Sequence, residues 1–226
     1  MSVENRDGAS PVHVRRYSGW ARINHWVTAI TFVLLLISGL ALFHPVLFGL
    51  SMLFGGGGNM RWLHPWLGVV LAFSFFGLFF RFLPANFPEK VDWEWVKKIK
   101  YVLAGHEEYL PEVGKYNAGQ KMVFWSMSGL IPILLITGIG LWDQGREYFE
   151  HVLNFKTTMD QQRWAALIHA AAAVAAILIW ITHVYAGFWI RGTISAMTQG
   201  EVTGGWAWRH HRRWLREAVS GRKDPT

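Results

Sequence analysis

The 226-residue sequence has no cysteine. That excludes disulfides, Cys-ligated zinc, iron–sulfur clusters held by this chain, and covalent haem attachment, which needs a C-x-x-C-H motif. Charge is scarce too: 16% of residues are Asp, Glu, Lys or Arg, against about 25% in soluble domains. Four long stretches, about 26–43, 62–80, 122–142 and 164–190, contain no Asp or Glu at all. A proton pump with a carboxylate-bearing path is therefore disfavoured. No strand-like alternation persists over a useful length, which argues against a β-barrel. What is present is apolar bulk, 52% of the chain. Each of the four stretches is long enough to cross a hydrocarbon core of about 30 Å as a helix. The expected fold is all-α: a polytopic membrane protein, one domain over residues 1–226, built as a four-transmembrane-helix bundle with amphipathic cytoplasmic segments.

The formal charge is +7, but its distribution points away from nucleic acid. Eighteen of the 22 Lys and Arg residues fall in 1–24, 81–121 and 191–226; the other four are Arg61, Arg146, Lys156 and Arg163. That is a positive-inside pattern, with both termini and the middle loop cytoplasmic. Basic clusters flanking spans meet anionic lipid. The first apolar segment is longer than a signal-peptide core and lacks an A-x-A cleavage site, so it reads as a retained span.

Between the spans, D-W-E-W-V-K-K-I-K at 92–100 reads as a surface helix with Trp93 and Trp95 facing lipid headgroups. The run G-G-G-G at 55–58 reads as a flexible outer loop. Pro65 suits the first turn of the second span, and Pro132 a kink in the third. Residues 143–162 form an outer loop with Tyr148, Phe149 and Phe155 interfacial. The basic, aromatic tail at 206–217 is expected against the inner leaflet.

Histidine carries the chemistry. Arg163 and Arg191 bracket twenty-seven uncharged residues, which contain His169 and His183. A histidine within a span is costly and marks function. Fourteen residues at about 100° each fall some 40° short of four full turns, so both imidazoles share a face about 21 Å apart along the axis. Small residues, Ala172, Ala173 and Ala176, lie between them. His25 begins span one and His64 begins span two. With alternating span direction, His25 and His183 share the inner level, and His64 and His169 the outer. Two imidazoles per level suit six-coordinate haem iron. The alternatives are hydrogen-bonded core histidines, a metal-ion transporter, or a haemless anchor. His13, His44, His106, His151, His210 and His211 read as surface residues, with His44 and His151 near the outer level.

The chain resembles the membrane cytochrome b (gamma) subunit of respiratory formate dehydrogenases over residues 15–217. The resemblance is carried by R-I-N-H-W at 22–26, S-G-L-A-L-F-H-P at 38–45, R-W-L-H-P at 61–65, K-Y-N-A-G-Q-K-M-V-F-W at 115–125, T-G-I at 137–139, I-H-A at 168–170, H-V-Y-A-G-F-W-I at 183–190 and H-H-R-R-W at 210–214. It implies two non-covalent haem b groups, one on His25 and His183, the other on His64 and His169. It implies a quinone site by the inner haem, with Asn117 and Gln120 as hydrogen-bond partners and His183 close by. The alternative reading of Asn117 is a helix N-cap, and the two roles are compatible. Also implied are an iron–sulfur (beta) subunit, a molybdenum- or tungsten-containing catalytic (alpha) subunit, and a place in the bacterial inner membrane during anaerobic respiration. Electrons would pass from the periplasmic iron–sulfur subunit to quinone on the cytoplasmic side. A di-haem anchor of a hydrogenase or thiosulfate reductase is the runner-up, and a higher oligomer is compatible with the chain.

Overall fold

The computed structural model describes residues 12–154 and 156–221; Phe155, one of the expected interfacial residues, lies outside them. In chain order the elements are β1 (His13–Arg15), α1 (Gly19–Phe43), α2 (Gly57–Phe82), α3 (Lys90–Lys97), α4 (Ile99–Leu103), α5 (Ala118–Leu141), α6 (Asp143–Leu153), α7 (Met159–Trp189), α8 (Thr193–Thr198), β2 (Glu201–Thr203), α9 (Gly204–His210) and α10 (Arg212–Val219). A 3₁₀ segment, Pro45–Phe54, joins α1 to α2. Helices α1, α2, α5 and α7 are each long and apolar enough to cross a membrane, as the apolar stretches predict. Their outer faces stay apolar and exposed at Phe73, Phe80, Ile136, Leu178 and Phe188, as a lipid-facing surface requires. The all-α expectation holds, with one small addition. β1 and β2 pair antiparallel, Val14 opposite Val202, and tie the two terminal segments together.

The helices run longer than the apolar stretches because capping residues outside those stretches begin them. Ser18 caps α1, accepting from Ala21 N. Thr158 caps α7 and forms a capping box with Gln161, satisfying two otherwise unpaired N–H groups. α2 begins at Gly57, so Pro65 lies inside the helix rather than in its first turn. This corrects the reading of 55–58 as a loose loop. Gly55 and Gly56, at φ +80° and +105°, make the turn that L side chains resist, and Gly57 and Gly58 are already helical.

α1 packs on α2, α2 on α5 and α5 on α7, while α1 and α7 meet at few points. Midway along the bundle, Phe32, Leu71, Ile131 and Ala176 form a buried cluster with one residue from each long helix. Phe32 stacks on Trp180, with ring centroids 5.8 Å apart.

One end of the bundle carries the terminal segments and the 83–117 connection. Here the structure departs from the expected surface helices. Trp93 is exposed, but Trp95 is buried against Val113 and Ala118. The tail folds inward: Trp214 and His211 are buried. Arg16, only 4% exposed, stands 4.6 Å from the Trp214 ring and 5.2 Å from that of Trp206. It donates to the Lys115 carbonyl. A buried guanidinium needs such partners, and they draw the tail onto the protein.

Candidate functional site: two levels of paired histidines

At the basic end, the His25 and His183 rings lie with centroids 6.2 Å apart. At the opposite end, those of His64 and His169 are 6.4 Å apart. Metal–imidazole bonds are about 2 Å long. Two of them in line, with half a ring on either side, separate centroids by roughly 6 Å. Both pairs therefore fit a bis-imidazole iron. The Nδ1 of His25 is buried and has no hydrogen-bond partner among the described residues. Packing agrees. The paired rings come from α1 with α7 and from α2 with α7, helices that barely touch or do not touch. Side chains meet where backbones stand apart, which leaves width for a flat group. Without a C-x-x-C-H motif, a haem here would be non-covalent.

Residues beyond the four histidines shape each level. Ser38 Oγ is 2.7 Å from His64 Nδ1, and Thr137 Oγ1 is 2.9 Å from His169 Nδ1. Beside His25, Asn24 Nδ2 donates to the Ser74 carbonyl at 2.9 Å, and Ser74 Oγ donates to Asn24 Oδ1 at 2.6 Å. This polar clasp fixes α1 to α2 at the level of His25. Sequence reasoning missed it; Asn24 beside His25 was the available signal.

Asn117 and Gln120 form a reciprocal capping box at the start of α5. Asn117 Oδ1 accepts from Gln120 N at 3.0 Å, and Gln120 Oε1 accepts from Asn117 N at 3.1 Å. Asn117 lines a cavity of about 40 Å³ with Trp95, Glu107, Ile190 and His210; Gln120 does not. That volume suits a few waters rather than a ring system. Of the six histidines read as surface residues, His13, His44, His106 and His151 are exposed. His210 and His211 are not: His210 pairs with Glu107, and His211 is 1% exposed. His211 Nδ1 donates to the Gly114 carbonyl at 2.9 Å, and its Nε2 accepts from Arg16 Nη2 at 3.3 Å. Burial, followed by the Arg16 charge, holds its pKa well below the ordinary histidine value.

The family described as prokaryotic cytochrome b561 matches residues 16–200. The nitrate-inducible formate dehydrogenase cytochrome b556(Fdn) subunit of Escherichia coli K12 is 41% identical over 196 residues, covering 87% of each chain. The formate dehydrogenase cytochrome b556(fdo) subunit of the same strain is 39% identical over 202 residues, covering 89% of this chain and 92% of that one. The formate dehydrogenase cytochrome b556 subunit of Haemophilus influenzae is 36% identical over 211 residues, covering 93% and 86%. The chain belongs to the prokaryotic cytochrome b561 family and is a four-helix membrane cytochrome b.

Proposed function

We propose that this single-domain chain is the membrane subunit of a formate dehydrogenase, passing electrons from an iron–sulfur subunit outside the bacterial cytoplasmic membrane to quinone at its inner side. The observation that carries the reading is the pair of matched histidine separations, 6.2 and 6.4 Å, at opposite ends of one bundle. His64 and His169 would hold one haem b, and His25 and His183 the other. When bound, each haem supplies a one-electron carrier.

The chain's own residues do the rest. Apolar Phe32, Leu71, Ile131 and Ala176 fill the space between levels and keep water out of it. The basic end, with 18 of 22 Lys and Arg residues, faces the cytoplasm under the positive-inside rule. There the Asn117 and Gln120 carbonyl oxygens are engaged in the helix cap. Their amide N–H groups are left to donate to a quinone carbonyl, which on this reading would lie near His183. Glu107, Glu112 and His210 line the same cavity as Asn117 and suit proton supply from the cytoplasm. The catalytic molybdenum- or tungsten-containing subunit would oxidise formate on the far side.

The test is an absorption spectrum and a haem assay on the purified chain. Two b-type haems per chain are expected, with one lost in His64→Ala and the other retained. One haem or none in the unaltered protein rejects the reading. Co-purification separates a formate dehydrogenase from a hydrogenase or thiosulfate reductase, and the names of the relatives favour the first. A metal-ion transporter is disfavoured: among the described residues no group of three or more His, Asp or Glu side chains is placed to hold a metal ion.

A further inference from the structure

We propose that Ser38 and Thr137 are matched positioning residues that fix the tautomer and tune the donor strength of the two outer histidines. This rests on the haem reading above. The two devices are built alike. Ser38 lies nineteen residues after Gly19, the first residue of α1, and Thr137 lies nineteen after Ala118, the first of α5. Each is followed by glycine, and each meets a histidine on the next long helix, His64 on α2 and His169 on α7.

Each hydroxyl has a carbonyl of its own helix to donate to. Ser38 Oγ donates to the Leu34 carbonyl at 2.8 Å, and Thr137 Oγ1 to that of Ile133 at 2.6 Å. A hydroxyl has one proton; given to the helix carbonyl, it leaves the oxygen to accept from the imidazole. His64 and His169 then carry their proton on Nδ1, and Nε2 keeps the lone pair that binds metal. Such a partner also makes the ring a stronger donor, which favours oxidised iron.

Of the two glycines, Gly138 makes room for the contact, while Gly39 stands at ordinary clearance. A methyl on Gly39 would stand 3.6 Å from His64 Cε1; on Gly138 it would stand 3.3 Å from His169 Cε1. The inner level has no such clamp on His25, whose Nδ1 finds no partner among the described residues. The two levels are therefore tuned separately.

The experiment uses full-length protein in its complex and follows the b-type absorption through a redox titration. Unaltered protein must first show two components; if it does not, the haem reading fails and not this one. Ser38→Ala and Thr137→Ala are each expected to move the same single component to higher potential, by about fivefold in the reduced-to-oxidised ratio at fixed potential. Ser38→Thr and Thr137→Ser keep the hydroxyl and should titrate like the unaltered protein. A shift in neither component overturns the proposal. So does a shift in the two alanine variants that falls on different components, or conservative variants that shift as far as alanine.

Discussion

At the residue scale, small groups decide how the large ones sit. Gly39 and Gly138 lie against the outer histidines, with different clearance. At 3.6 Å an added methyl makes ordinary contact; at 3.3 Å the His169 ring must yield. Gly138→Ala is therefore expected to weaken haem retention at the outer level, by about tenfold or more as for other altered ligand supports. Gly39→Ala should change it little. Haem content after purification measures both. Asn117 separates two roles in the same way. Serine caps a helix about as well as asparagine but has no amide. Asn117→Ser should leave thermal stability within a few tenths of a kcal/mol and lower quinone reduction, read by stopped-flow oxidation of the reduced protein.

At the element scale, the short helices at the basic end hold the start of α5. Lys121 is 5% exposed. It donates to Asp92 Oδ2 at 2.8 Å, to the Phe87 carbonyl at 3.0 Å and to Glu89 Oε1 at 3.3 Å. It thus pins α5 to the N-terminus of α3. Lys121→Ala leaves Asp92 without its nearest cation and should cost about 2–4 kcal/mol, measured by thermal denaturation in detergent. His211 sets a pH dependence for the same region. Its neutral ring sits between Gly114, Arg16 and the Trp206 and Trp214 rings. Its pKa is depressed in the folded protein and near 6.5 unfolded. The unfolded form therefore binds the extra proton as pH falls below about 6.5. Stability from this group is complete above that pH and declines below it, toward the folded pKa. Hydrogen-exchange protection at 114–116 and 204–214, taken relative to the intrinsic rate at each pH, should fall between about pH 6.5 and 5, and His211→Gln should flatten the response.

At the scale of the whole molecule, the long helices are a frame with a gap. α1, α2, α5 and α7 pack in sequence, and the histidine pairs face one another across the helices left apart. Ala176, 1% exposed at the bundle centre, sets how closely that frame closes. Ala176→Leu should overpack it by about 1–3 kcal/mol and broaden the spectra of both levels. Reporter fusions at the two ends of the chain test its orientation: both should read cytoplasmic.

Four spans and the level of each histidine along them were legible in the sequence, because hydrocarbon enforces length and apolarity residue by residue. The pairing of His25 with His183 and of His64 with His169 followed from that same one-dimensional depth, and the structure brings those rings together. Contacts between distant segments were not legible. Nothing local distinguishes Trp95 from Trp93, or His211 from a surface histidine. Their burial depends on Ala118, Gly114 and Arg16 arriving from elsewhere in the chain. The hydroxyls on the outer imidazoles were equally hidden, since Ser38 and His64 share a level only once α1 and α2 are packed. The sequence by itself determined how deep each group lies; only the tertiary structure decided what stands beside it, because lateral neighbours are chosen by packing between helices and not by the membrane.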